Sequence, residues 1–291
     1  MASPEFRKVV IYGTGLIGGS FALALRAVGA VDEIVGFGRR PSSLREAVEL
    51  GIIDRLGMNI ATELADADLV LVATPVGQMP DIFATIAPYI GPDTIVMDGG
   101  STKSDVEAAA RAAFGSKIGQ FVPAHPIAGA ENSGAAAARY ELYQGKKVVI
   151  TPLPENSDDT LDRVKRAWSL CGADIFELSP AQHDKVFAAV SHLPHLLSFA
   201  LVNDLAIRED AELFFGFAAS GFRDFTRIAG SHPEMWRDIC LANRTALLDE
   251  LHRYQDQLAD LESALKIQDG EKLEAVFQVA RNARRAWGEK T

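Results

Sequence analysis

The segment Lys8-Val-Val-Ile-Tyr-Gly13-Thr14-Gly15-Leu16-Ile17-Gly18-Gly-Ser20 constrains the fold more than any other stretch of the chain. A β-branched run, Val9 to Tyr12, predicts a buried parallel strand, and the apolar stretch Leu16 to Val28 predicts the helix after it. Three glycines separate the two. Gly13 allows the tight turn, Gly15 lets a pyrophosphate approach the backbone, and Gly18 lets helix and strand pack closely. Phosphates then meet N–H groups at a helix N-terminus, with Thr14, Leu16 and Ile17 in the same turn. Strand, glycines and helix in this order predict a dinucleotide site, which the glycine spacing alone would not.

The next strand, Glu33 to Phe37, ends about 20 residues beyond the glycines, where an Asp or Glu would take both ribose hydroxyls of NAD. Gly38 stands there instead, followed by Arg39, Arg40 and Ser42. With no carboxylate to repel a 2′-phosphate and two guanidinium groups to bind one, the loop predicts NADP, with NAD as the alternative. If the strand register differs by a residue or two, Arg39 and Arg40 are ordinary solvated loop charges.

Strand and helix signals alternate through the first half of the chain. Asp68 to Pro75 and Thr94 to Asp98 read as strands, and Met79 to Tyr89 and Lys103 to Phe114 as helices. Further strands are expected at Phe121 to Ala124, Lys147 to Thr151 and Ala173 to Leu178, with a helix over Asp158 to Leu170. The pattern predicts an α/β fold, a Rossmann-type doubly wound parallel sheet. After Ser179 strand signals stop, so a dinucleotide-binding domain over 1–178 and an all-helical domain over 179–291 are expected. A length of 291 residues suits two such cores. In the helix after Asn243, an apolar seam recurs through Leu247, Leu251, Tyr254, Leu258, Leu261 and Leu265. It serves either packing within the domain or a homodimer interface through the helical half.

The net charge of −10 argues against nucleic acid and anionic membrane as partners and leaves a small-molecule substrate, with local Arg and His to hold any anionic groups. No apolar run of about 18 residues is evident, and there is no room for a signal peptide before the first strand. Cys171 and Cys240 stand far apart without metal spacing, which suits two reduced core residues and a cytoplasmic setting.

Ligands bind beyond the carboxyl ends of the strands in such sheets, so the residues there are site candidates. They are Thr74-Pro75-Val76, Asp98-Gly-Gly-Ser101-Thr-Lys103 and His125-Pro-Ile-Ala-Gly129-Ala-Glu131. His183, His192, His195 and His232 also stand where a core would not require them, whereas His252 reads as helix surface. A metal reading of His192-x-x-His195 with His183 and Asp184 is disfavoured, because Pro194 disfavours a regular helix presenting both histidines and a nicotinamide enzyme with a histidine base needs no metal.

Taken together, these blocks resemble the prephenate and arogenate dehydrogenase family. The resemblance rests on Gly13 to Ser20, Asp98 to Lys103, His125 to Glu131, His183-Asp184, Ser191-His-Leu-Pro-His195, and Gly221-Phe-Arg-Asp-Phe-Thr-Arg-Ile-Ala229 followed by Met235-Trp-Arg-Asp238. It implies an NAD(P)-linked oxidative decarboxylation in tyrosine biosynthesis. It further implies that His125 takes the proton of the ring 4-hydroxyl, that Ser101 orients that histidine and touches the hydroxyl, and that Arg227 binds a substrate carboxylate. Ser191, His192 and His195 would line the pocket, Glu131 and Arg223 would form a gating ion pair, and Trp236 would supply an apolar wall. Thr74, Pro75, Val76, Ser101 and Lys103 are expected at the coenzyme. Gly38 departs from the NAD-linked pattern. The end of the chain soon after Trp287 leaves no appended regulatory domain to expect. A β-hydroxyacid dehydrogenase, with a catalytic Lys on a helix of the second half, and a non-catalytic NADP-binding sensor or scaffold are the competing readings.

Overall fold

The computed structural model describes residues 4–129 and 132–288. It opens with β1 (Phe6–Tyr12), α1 (Leu16–Ala27), β2 (Val31–Phe37), α2 (Pro41–Glu49), β3 (Arg55–Leu56), α3 (Ile60–Leu64), β4 (Leu69–Val72), α4 (Met79–Ile86), β5 (Ile95–Asp98), α5 (Ser104–Phe114) and β6 (Phe121–Val122). These six strands form one parallel sheet in the order β3-β2-β1-β4-β5-β6. The order reverses between β1 and β4, which opens a crevice above their carboxyl ends. The residues of β4 and β5 and Val9 to Ile11 of β1 are buried on both faces. That burial explains why they read as unbroken apolar runs rather than as alternating ones. Val9 and Ile11 join one core layer, with Phe21 and Trp168, while Val10 and Tyr12 join the other, with Phe83 and Phe121.

Three later strands form a separate sheet. β7 (Ala124–Pro126) pairs antiparallel with β8 (Lys147–Ile150), which pairs parallel with β9 (Asp174–Glu177), and α6 (Asp158–Leu170) lies between β8 and β9 in the chain. Pro123 explains the switch of sheet. It has no N–H to continue the ladder from Val122, and the next N–H, from Ala124, goes to the Asp98 carboxylate at 3.0 Å. His125 is thereby turned over the end of β5.

Every element after β9 is helical: α7 (Pro180–Phe187), α8 (Leu193–Ala206), α9 (Ala211–Gly216), α10 (Ser220–Thr226), α11 (Pro233–Ala242), α12 (Arg244–Lys266) and α13 (Gly270–Gly288). The chain divides into two compact units between Arg244 and Thr245, so α7 to α11 belong to the same unit as the sheet. In the second unit the seam of α12 is largely uncovered, with Tyr254, Leu258 and Leu265 exposed. Cys171 is buried and Cys240 half-buried, and both are free thiols.

The expectation that no apolar run of about 18 residues occurs does not hold. The helical run Pro180–Ala206 is long and apolar enough to cross a membrane by length and composition. His183, Asp184 and Pro194 punctuate it, yet the flanking Val, Leu, Phe and Ala residues keep its average apolar. Its buried residues include His183, Asp184, His192 and Ser198, and hydrogen bonds tie Asp184 to Lys103 in the loop after β5 and His183 to His125 of β7.

Candidate active site

The glycine turn has the shape of a phosphate cradle. Gly13 sits at φ 92°, and a Cβ there would lie 2.6 Å from the Ala73 carbonyl oxygen. A Cβ on Gly18 would lie 2.2 Å from the Gly13 carbonyl oxygen, while one on Gly15 would meet nothing within 4 Å. Gly13 and Gly18 therefore serve close packing, and Gly15 faces open space. Leu16 and Ile17 follow in a helix start with no side-chain cap and no acid in its first turn, so its N–H groups suit a ligand's phosphates. Tyr143 fixes that turn by donating to the Ile17 carbonyl at 2.6 Å. Thr14 is buried, and Thr74, Pro75 and Val76 flank the same crevice at the end of β4. The arrangement fits a dinucleotide.

Gly38, Arg39, Arg40 and Ser42 are exposed at the end of β2 and the start of α2. Arg40 caps α2 without a side-chain bond and the first turn carries no acid, so this helix start also suits an anion. A Cβ on Gly38 would touch Leu44 at 3.4 Å, an ordinary contact. The missing acid is therefore no consequence of crowding.

The catalytic candidates come from separate elements. His125 Nδ1 lies 2.8 Å from His183 Nε2, and His183 Nδ1 lies 2.9 Å from Asp184 Oδ1. The backbone N–H groups of Lys103 and Ser104 donate to the Asp184 carboxylate at 2.8 and 2.9 Å. Burial raises the Asp184 pKa, but hydrogen bonds from His183, Ser104 and Lys103 outweigh it and hold the group at about 2. An ionised Asp184 only accepts, which fixes the tautomers along the line. His183 carries its proton on Nδ1 and offers Nε2 as acceptor, so His125 donates from Nδ1. Its Nε2 keeps a free lone pair. Burial, then the neighbouring His183, Lys103 and His192, push the His125 pKa well below the usual histidine value, so the ring is neutral. The group that orients His125 is therefore His183, where the resemblance gives that task to Ser101.

Ser101 sits half-buried in the loop after β5, and the buried Asp98 organises that loop. Asp98 accepts from the N–H of Gly100 at 2.7 Å, from the N–H of Ala124, and from the Lys103 ammonium. Lys103, expected at the coenzyme, is fully buried, and its ammonium also donates to the Ala124 carbonyl at 2.8 Å. It clamps the Ser101 loop to the strand that bears His125.

A helical wall completes the site. Between α7 and α8 the chain makes a π-helical turn, Ala188–His192, and Pro194 lies in the first turn of α8. Pro194 was expected to disfavour a regular helix; the run is continuous because the wider turn absorbs the missing N–H, a device common at functional sites. His192 is buried, and its Nδ1 accepts from the Asn243 amide at 3.1 Å, which places its proton on Nε2. Burial, then the neighbouring His183, pull its pKa down to about 4, with the Ser101 backbone acting in the other direction. His195 donates from Nδ1 to the Ser191 carbonyl at 2.8 Å, and its ring stacks on the buried Trp236 at 3.5 Å between centroids. Arg227 is near enough to help lower the His195 pKa, after burial. Arg223 and Arg227 are exposed at the end of α10 and just after it. Glu131 lies outside the described residues. Among those residues, no three His, Cys, Asp or Glu side chains gather to hold a metal.

Asn243 and Phe187 stand outside the candidates legible in the sequence, and Asp98 stands among them with no task of its own. Asn243 also donates to the Asp184 carbonyl at 2.7 Å, and the Phe187 ring lies 4.8 Å from that of His125. Asp98, at a strand end before a glycine pair, carried the one available signal; nothing local marks the other two.

Known proteins resemble this chain along most of its length. A family model described as prephenate dehydrogenase, nucleotide-binding domain, matches residues 21–177, and one described as prephenate dehydrogenase, dimerization domain, matches residues 179–279. A cyclohexadienyl dehydrogenase from Zymomonas mobilis is 34% identical over 97% of this chain and 96% of its own length. A prephenate dehydrogenase from Bacillus subtilis is 34% identical over 95% of this chain and 75% of its own. The crystal structure of the Aquifex aeolicus prephenate dehydrogenase, in complex with hydroxyphenyl propionate and NAD+, superposes with a TM-score of 0.89 at 36% identity, covering 98% of each chain. With two family models spanning most of its length and relatives this similar along nearly all of it, the chain belongs to the prephenate dehydrogenase family.

Proposed function

We propose that this chain catalyses NADP-linked oxidative decarboxylation of prephenate, arogenate or both, as a step toward tyrosine. The observation that carries the reading is the line Asp184–His183–His125 at the carboxyl end of the nucleotide-binding sheet. It leaves one neutral imidazole nitrogen free to accept a proton, which suits a general base. When bound, the nicotinamide ring supplies the acceptor for the hydride leaving ring carbon 4.

His125 Nε2 takes the 4-hydroxyl proton, so the carbon that loses hydride becomes a carbonyl. The bond to the ring carboxylate then breaks, its electrons flow toward that carbonyl oxygen, and CO2 leaves as the ring becomes a phenol. His125 is positioned to return the proton. Ser101 touches the hydroxyl, Arg227 binds a carboxylate through its planar guanidinium, and Ser191, His192 and His195 line the pocket. Trp236 holds the His195 ring flat against an apolar wall.

The preference for NADP is supported by Gly38, by the exposed Arg39, Arg40 and Ser42, and by the uncapped start of α2. Residues 1–178 act as the coenzyme domain and residues 179–291 as the substrate and dimerisation domain. Exposed Leu213, Phe215, Phe217 and Phe225, with the uncovered seam of α12, favour a homodimer through the helical half. Two free cysteines suit a reducing cytoplasm.

Parallel assays of prephenate and arogenate with NADP and NAD test the reading. Formation of CO2 and NADPH in equal amounts supports it; coenzyme binding without turnover of either substrate would make the chain a sensor or scaffold.

A further inference from the structure

Glu234 belongs to the first turn of α11, a helix fixed firmly to the sheet. Trp236 and Ile239 bury its inner face, and Asn243 at its end bonds both His192 and the Asp184 carbonyl. Asp238 lies against Gly77, where a Cβ would come within 2.6 Å of the Asp238 carboxylate. The helix is therefore seated on the turn after β4, beside the coenzyme crevice. From this seat Glu234 faces the loop after β2. Its carboxylate lies 3.9 Å from the Arg39 guanidinium and 3.9 Å from that of Arg237. Arg237 is drawn to Asp238, with two bonds of 2.7 and 2.8 Å, so it holds Glu234 only loosely. Glu234 is thus an acid presented to the very loop whose own strand-end acid is replaced by Gly38.

We infer that Glu234 is a determinant of coenzyme choice: its carboxylate competes with a coenzyme 2′-phosphate for the Arg39 guanidinium and so weakens NADP binding relative to NAD. This rests on the reading that Arg39 meets the 2′-phosphate. Both side chains are partly exposed, at 63% and 40%, so the pair is solvent-screened and the effect is modest. It acts in the opposite direction to Arg39 and Arg40. The chain then tunes its preference between two elements instead of setting it within one loop.

The test is calorimetric binding of NADP and of NAD to the full-length protein, its Glu234→Gln and Arg39→Ala variants, and the double variant. Glu234→Gln is expected to tighten NADP about three- to fivefold, leave NAD within about 1.5-fold, and lose its effect in the Arg39→Ala background. An unchanged NADP affinity in Glu234→Gln overturns the inference. So does an equal gain with Arg39 absent, which would mark a general field effect, or a parallel weakening of NAD, which would mark a direct bond to the ribose. Arg39→Ala alone judges the underlying reading: an unchanged NADP-to-NAD ratio there removes Arg39 from the 2′-phosphate, whatever Glu234 does.

Discussion

The coenzyme end and the substrate end of this site are built in different ways. The cradle at Gly13, Gly15 and Gly18 is made of backbone, within six residues and one strand-turn-helix unit. The histidine cluster is made of side chains, and its partners lie 58 residues apart between His125 and His183 and 51 apart between His192 and Asn243. A backbone site needs special residues at fixed spacing, because only glycine gives the close approaches at Gly13 and Gly18. A side-chain site needs only that the fold bring compatible groups together. The first is therefore written locally in the chain, and the second is distributed.

That contrast can be broken by substitution. The largest effect belongs to His125. Its replacement by Ala removes the proton acceptor and is expected to lower kcat by about 10²–10⁴, with coenzyme affinity retained. Steady-state kinetics and coenzyme titration of the variant check both halves of that statement. The pH profile checks the state of the base. Only the neutral ring accepts a proton and its pKa lies well below the usual histidine value, so kcat should hold as pH falls to 6.5 and decline only below it.

The cluster should also register in stability. His192 titrates at about 4 in the fold against 6.5 unfolded, so the native state binds fewer protons between those values. Its contribution is complete above pH 6.5 and is lost as pH falls toward 4, by about 3 kcal/mol. Denaturant unfolding at pH 7 and pH 4.5 measures the slope, and His192→Asn should flatten it. A slope equal to that of the unsubstituted protein would show that His192 does not carry it.

Next in size is the positioning line. His183→Asn keeps a polar group but breaks the chain from Asp184, and it is expected to cost about ten- to a hundredfold in kcat with KM little changed. A merely structural role would instead lower the melting temperature and leave kcat per folded molecule intact. The smallest effect falls at the coenzyme end. Gly38→Asp fits without crowding, and it should move the ratio of kcat/KM values about tenfold toward NAD.

Legibility in the sequence follows the same division. The parallel sheet, its helices and the coenzyme loop were readable because buried parallel strands give unbroken apolar runs and the phosphate turn needs glycine. The separate sheet of β7 to β9 was readable as strands but not as a sheet, since its pairing depends on Pro123 ending one ladder and Asp98 receiving the next N–H. His125, Ser101 and Arg227 could be named from resemblance, but the partner of His125 could not. His183 is distant in sequence, and only the docking of α7 against the Lys103–Ser104 turn brings it there. Lys103, expected at the coenzyme, has its ammonium buried on Asp98, a pairing that no local pattern in the sequence marks.

On the proposed reading the glycine cradle holds the coenzyme, the loop after β2 selects it, and the histidine cluster performs the chemistry. Single-turnover hydride transfer, measured with saturating NADP or NAD in the unsubstituted protein, Gly38→Asp, His125→Asn and the double variant, tests it most directly. Coenzyme affinities are determined on the same samples. Gly38→Asp is expected to change affinity ratios but not the transfer rate, His125→Asn to lower the rate at least about a hundredfold with affinities held within about twofold, and the two effects to multiply. A His125→Asn variant that transfers hydride at the original rate, or that loses rate and coenzyme affinity together, would contradict it.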